Sequence, residues 1–396
     1  MAIHRTAPRL VLLAAAALAL AGCARDRPAG IACSAFGTSS AEASRELAEA
    51  APAADLALGE GALANALRRS LQPPSVAESA PEAGGPAAVA TDAVQGDVAV
   101  FSAGGTWGAF GAGVVSAWTG RPDFTLVTGV STGAILGYFA FAGPEYDDVL
   151  RRFYREARLS DAYRIDIAGD LTGRPSVASA APIERLAATE IPLALPAIKA
   201  HSGNGALYVG AVNLDDGQFQ AFNLTRAAER DDADTCVPEA VLASAAIPAL
   251  APPRVINGAA YVDGGARQQV FLDTLALVAA EEATPRYTIH LIVNSDVATP
   301  PGRPDWSLLG VTERAYKIVL DEGLKASLRQ VLRIAREQGW PVRAATAAQV
   351  DFTPCEALES DPRAHCRSRV LYDLGTRIGQ PDNPWLDADG LENLIR

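Results

Sequence analysis

Apolar positions along this chain fall into two textures that meet near Gly96. Beyond it, short apolar runs alternate with helical patterns. "DVAVFSAGG" (97–105) is an apolar strand running into glycines, and "GAFGAGVVSAW" (108–118) reads as a helix. "FTLVTG" (124–129) is a second buried strand, followed by a helix in "TGAILGYFAF" (132–141) and an amphipathic one in "EYDDVLRRFYREA" (145–157). "ALYVGAVNL", "QFQAFNL" and "YTIHLIVN" read as further strands. Glu313–Gln338 reads as a long helix stopped by Gly339 and Pro341. Strands alternating with helices predict an α/β fold, with a parallel or mixed sheet covered on both faces.

Before Gly96 the pattern is different. Arg5 and Arg9 precede an apolar run, Leu10–Leu20, and then "LAGC" at Leu20–Cys23. That order reads as a secretory signal peptide, too short to span a bilayer stably. Small residues before a cysteine resemble the lipobox of bacterial lipoproteins, which implies cleavage before Cys23 and lipidation on it. The alternative is an ordinary signal peptide cut nearby. Ala24 after the cysteine resembles lipoproteins sorted to an outer membrane. Residues 24–96 are rich in Ala, Pro, Glu and Ser and read as a tether. A helical piece near Asp55–Leu71 interrupts it and ends at "QPPS". The division expected is a signal peptide over 1–22, a lipidated tether over 23–96, a catalytic domain over 97–300 and a helical C-terminal extension over 301–396.

Composition narrows the partners. The formal net charge is -12, and loss of Arg5 and Arg9 makes the mature chain more acidic. Nucleic acid is a poor partner for such a surface, and so is anionic lipid. The cysteines beyond Cys23 are Cys33, Cys236, Cys355 and Cys366, an even set in an oxidising compartment. Cys355 with Cys366 closes a short loop and is the preferred pair. Cys33 with Cys236 would pin the N-terminal arm, free buried thiols being the alternative. No metal-site spacing with histidine is evident, and no cofactor is implied. The aspartates 215, 216, 231, 232 and 234 form acidic loop clusters without EF-hand spacing, and read as solvated surface.

The candidate chemistry centres on "GVSTG", Gly129–Gly133. A glycine two residues to either side of Ser131, between strand and helix, fits a tight strained turn that lifts the hydroxyl out of the sheet. The following helix brings its free N–H groups close. A serine cap is the plainer reading of the same residues. Upstream, Gly104, Gly105 and Gly108 follow the first strand and suit a backbone N–H cradle for phosphate or an oxyanion. The G-x-x-x-x-G-K-[ST] spacing of a nucleotide loop is absent. Downstream, "YVDGG" puts Asp263 at a strand end before Gly264 and Gly265.

Taken together and in order, "AGGTWG", "GVSTG", "ASAAIP" and "YVDGG" resemble the patatin-like phospholipase family over about half the chain. The resemblance implies a three-layer α/β/α fold with a central, mostly parallel sheet. It also implies hydrolysis of lipid or phospholipid acyl esters by a Ser–Asp dyad. Ser131 would be the nucleophile, Asp263 its base, and N–H groups at Gly104 and Gly105 the oxyanion hole. Two positions depart from the family. Ala103 replaces the first of three glycines, and Trp107 stands where Arg or Lys is common. That tryptophan either lines the acyl site, meets a membrane interface, or packs under its own helix. A Ser–His–Asp triad is the competing mechanism. Its candidates are His201, His290 and His365, since His4 leaves with the signal; of these, His290 is read as a core or sheet-edge residue and His201 as a loop residue. A patatin fold that binds lipid or a partner with little turnover is the competing function. The expected setting is the cell envelope, membrane-anchored through Cys23.

Overall fold

The computed structural model describes residues 27–36, 95–156, 164–165, 178–179, 181–248, 250–272, 286–297, 302–348, 350–358 and 360–396. The signal peptide, Cys23 and the Asp55–Leu71 helix lie outside the described residues.

Strand β1 (Gln95–Phe101) leads through a 3-10 turn into helix α1 (Gly108–Ala117), then β2 (Leu126–Val130) and α2 (Thr132–Ala142). The expected amphipathic helix near Glu145 is broken. A 3-10 turn at Pro144–Tyr146 precedes α3 (Asp147–Arg151), which widens into a π-helical turn over Arg152–Glu156. Such a turn re-aims side chains, and here Tyr154 is buried with its hydroxyl on Thr132 Oγ1. A small ribbon of β3 (Arg164–Ile165) and β4 (Ala178–Ser179) precedes α4 (Ala181–Thr189) and α5 (Ile191–His201). Next come β5 (Ala206–Asn213), β6 (Phe219–Asn223), α6 (Leu224–Ala228), α7 (Ala233–Ser244), β7 (Arg254–Ile256) and β8 (Ala259–Asp263). The chain closes with β9 (Arg286–Val293), α8 (Leu308–Gln338), β10 (Val342–Thr346), α9 (Thr353–Glu356), α10 (Ser360–Ile378) and α11 (Ala388–Ile395).

The sheet order is β10-β9-β1-β2-β5-β8-β7, with β6 also on β5. The first five run parallel, while β6, β7 and β8 pair antiparallel. Alternate residues of each strand feed two cores, as the two-residue period of a strand requires. Ala99, Phe101, Val127 and Val209 face α1, α2, α5, α7 and α10. Val98, Val100, Leu126 and Tyr208 face α8 and α11. The result is a three-layer α/β/α architecture around a mostly parallel sheet. Helix α1 is apolar all round because α10 covers its outer side. Side chains on Gly113, Gly375 or Gly379 would collide with backbone of the opposite helix, so the axes approach closely.

Two parts differ from expectation. Residues 301–396 are not only helical: β10 extends the central sheet beside β9, so the sheet ends within the expected extension. At the other end, residues 27–36 are docked on the domain. Ile31 bridges Ile256, and Phe36 packs on Phe222. Cys33 is joined to Cys236. Arg27 makes a bidentate pair with Asp215 at 2.5 and 2.7 Å, and Ser34 donates its N–H to Asp232. A stretch that composition marks as tether is therefore clamped, and two of the acidic loop residues hold it. Cys355 is joined to Cys366. Among the described residues, no helix is long and apolar enough to cross a membrane.

Candidate active site

Register explains how two residues 132 positions apart in "GVSTG" and "YVDGG" meet. β6 pairs with Tyr208–Val212 of β5, so β2 and β8 must share the opposite edge of β5. There Val130 of β2 is opposite Gly210, and Asp263 of β8 is opposite Ala211, the next residue along. β2 runs parallel to β5 and β8 antiparallel, so the two strands abut with their C-terminal ends together. Ser131 and Asp263 are the residues at that junction.

Ser131 occupies φ 58°, ψ -124°, a conformation that costs a non-glycine residue about 1–3 kcal/mol. The surroundings enforce it. A side chain on Gly129 would strike Gly133 O, and one on Gly133 would strike Phe101 O. The Ser131 N–H donates to Ser244 Oγ at 3.0 Å, and the Ser244 hydroxyl donates to Gly210 O at 2.6 Å. Two residues after Ser244, Ala246 O accepts the Asp263 N–H at 2.9 Å. One short stretch across the end of α7, the "ASAAIP" at Ala243–Pro248, thus holds the backbone of both residues. The sequence pattern assigns no role to Ser244 within that motif. Its signal was only a serine among alanines.

The Asp263 side chain is buried and accepts the Gly265 N–H at 2.7 Å, and the nearby Ser131 hydroxyl favours its charged form. Burial outweighs both influences and pushes its pKa from 3.8 up to about 6. Gly264 leaves no room for a side chain, since Gly210 O lies against it. A carboxylate that is ionised at neutral pH, yet more basic than usual, therefore faces a serine hydroxyl.

The glycine loop lies beside this pair. Ser102 donates its N–H to Ile292 O, and Ala103 donates its N–H to Gln269 O. Asn294 donates its side-chain amide to Ser102 O and packs so closely that Gly104 admits no side chain. Gly105 has φ 55° and opens the 3-10 turn. Among the described residues, no acceptor takes the N–H of Gly104 or Gly105. Gly108 sits tight against Thr132, which locks the loop to the start of α2. Ala103 needs no positive φ and is buried, its methyl packed near Gly265.

The remaining candidates lie elsewhere. His290 is buried on β9, with Nε2 2.6 Å from an Asp97 oxygen and its ring among Trp118, Phe124 and Trp385. It is in register with Ala99 and Val127, two strands across and four residues back from Ser131. That separation is on the order of 15 Å. His201 is the last residue of α5, with Nδ1 2.9 Å from Phe141 O in the last turn of α2. His365 lies in α10. None of the three has a described contact with Ser131 or Asp263. Trp107 is half-buried and meets Phe352 edge-on at 5.6 Å. Among the described residues, no group of three or more His, Cys, Asp or Glu could hold a metal ion.

Residues 99–276 match the family model described as patatin-like phospholipase. Among solved structures, the chain is similar to the crystal structure of VipD from Legionella pneumophila at 11% identity and a TM-score of 0.30. That match covers 72% of this chain and 66% of VipD. No curated protein sequence matches.

Proposed function

With a patatin-like phospholipase domain at residues 99–276 as premise, we propose that the chain is a membrane-tethered serine acyl hydrolase. At family level the reaction is hydrolysis of lipid acyl esters. The observation that carries the finer reading is the buried Ser131 beside a buried carboxylate of raised pKa.

A serine hydroxyl is a weak nucleophile until a base takes its proton. In the proposed reaction Asp263 accepts that proton as Ser131 Oγ attacks the ester carbonyl carbon. The carbonyl π pair moves onto oxygen, where the Gly104 and Gly105 N–H groups hold it. Losing one such donor typically costs about 3 kcal/mol in the transition state. Collapse breaks the C–O bond to the leaving alcohol, which takes the proton from Asp263 and leaves an acyl-Ser131. Water, deprotonated by Asp263, then releases the fatty acid and restores the hydroxyl. The raised basicity of Asp263 brings a carboxylate closer to the pKa suited to work near neutral pH.

A fluorophosphonate probe reports an activated serine directly. The wild-type chain is expected to label at Ser131, by peptide mass, and to release fatty acid from phospholipid. An unlabelled folded protein would sink the reading. The tether is proposed on the "LAGC" order, with Cys23 lipidated and the protein held at the cell envelope, facing the periplasm from an outer membrane. Two or more acyl chains hold a protein firmly where one does not. Mass spectrometry of the mature N-terminus should find an acylated Cys23, and Cys23→Ser should release the protein from membranes. An unmodified cysteine in the wild type removes the anchor.

A further inference from the structure

Helix α8 is longer than the layer it covers. β9 spans about 26 Å. The part of α8 that packs on the sheet begins at Leu324, followed by Leu328, Val331, Leu332 and Ala335. The stretch Leu308–Gly323 before it adds about 24 Å. Its place follows from topology. β9 runs parallel to β1 and β2, so it ends at the same edge of the sheet as Ser131. α8 returns from that edge to start β10, again parallel. The start of α8 therefore projects past the active-site edge.

It also stands on the site. The Gln269 N–H donates to Ser327 Oγ at 3.3 Å, and the Gln269 side chain donates to Gly265 O at 3.1 Å. Tyr316, in the projecting turns, feels the charge of Asp263 on top of its own burial, and both push its phenol pKa up.

This projection is apolar on its outer side. On the helix Val319 is 67% exposed and Ile318 49%, with Val311, seven residues before Ile318, on the same side; Trp306, just ahead of the helix, is 94% exposed. Leu214, 51% exposed, follows β5 at the same edge. Next to it, Asp215 clamps Arg27. Arg27, the first described residue of the arm, therefore sits at this edge. Cys23 is four residues from Arg27, within about 14 Å at full extension.

We propose that the projecting start of α8, with Trp306, Val311, Ile318 and Val319, and Leu214 on the same edge, lies in the surface of a zwitterionic bilayer and sets Ser131 against it. The proposal rests on the lipid hydrolase reading above. The occupant is a bilayer because the face adjoins the serine of a lipid-hydrolase domain and the edge where Arg27 sits, four residues along the sequence from Cys23. It is zwitterionic because the net charge of -12 repels anionic lipid.

The test uses the full chain with Cys23→Ser, so that no anchor masks the face. Flotation with phosphatidylcholine vesicles measures binding, and brominated lipid reads Trp306 by fluorescence quenching. Ile318→Asp with Val319→Asp is expected to weaken vesicle binding at least about tenfold and to cut vesicle phospholipid hydrolysis in proportion. Turnover of the soluble ester p-nitrophenyl butyrate and Tm should stay unchanged. Val319→Trp should strengthen binding, and Trp306→Phe should remove most of the quenching. Unchanged flotation in the double variant overturns the proposal. A fallen Tm does so too, since another part of this chain then covers the face, as does a dimer that the double variant splits. A parent that floats but cleaves no ester upholds the docking face and removes the hydrolase reading instead.

Discussion

Ser131→Ala is expected to lower kcat/KM on p-nitrophenyl esters by a factor of about 1,000 or more, with the fold intact. The magnitude follows from removing the only atom that bonds the acyl group, since losing a nucleophile costs far more than losing a positioning contact. Alanine differs by one oxygen and keeps the strained φ of 58°. Ser131→Gly should be equally inactive but more stable than Ser131→Ala, by about 1 kcal/mol, because glycine adopts that backbone freely. Urea denaturation and ester kinetics on both variants check this. Residual turnover near wild type in a folded Ser131→Ala protein would end the assignment. Equal stability of the two variants would mean the elbow stores no strain.

Asp263→Asn should be as inactive and yet raise stability at neutral pH. An amide accepts no proton from Ser131, but it also carries no buried charge. The Asp263 pKa is about 6 in the fold against 3.8 as its ordinary value. Between those values the native state binds more protons than the unfolded one. Stability from this group is therefore greatest at low pH and falls as pH rises from about 4 through 6. Above that window the buried charge costs on the order of 3 kcal/mol. Asp263→Asn should flatten this pH dependence in denaturation curves. The same ionisation should set the acid limb of kcat/KM near pH 6 in the wild type. His201→Ala, His290→Ala and His365→Ala should each keep most activity and leave the limb in place, although His290→Ala should lower Tm through the loss of its aromatic packing. A histidine variant that is folded and as inactive as Ser131→Ala would replace the dyad by a triad.

Ser131 and Asp263 are legible in the sequence because the requirements on them are local. Each ends a strand, and the glycines beside each are needed within two residues. The alternating texture after Gly96 likewise reveals the layered α/β fold, since buried parallel strands read as continuous apolar runs. What brings the two residues together is not local. The end-to-end abutment of β2 and β8 depends on which edge of β5 each takes, and nothing in either strand encodes that. Ser244 is hidden for the same reason, because its bonds run to Gly210 and Ser131. β10, "VRAAT", is too small and too short to announce itself as a strand. The close crossing of α1 and α10 rests on Gly113, Gly375 and Gly379, whose spacing suggests a tight contact only once the partner is known. Residues 27–36 have the composition of a tail, and they are held by Asp215, Asp232, Cys236 and Asn257, far along the chain.

The bond between Cys33 and Cys236 also changes what a protease could achieve. It spans 203 positions and encloses everything between them in one covalent ring. A single cut anywhere in residues 37–94 opens that ring but separates nothing. The fragment ahead of the cut stays bound to the catalytic layer through sulfur, and any lipid it carries stays with it. With Cys23 lipidated as proposed, release of the domain by a nick in that region would require reduction as well. A cut ahead of Arg27 would need no such help, which would make the few residues after Cys23 the point where release is decided.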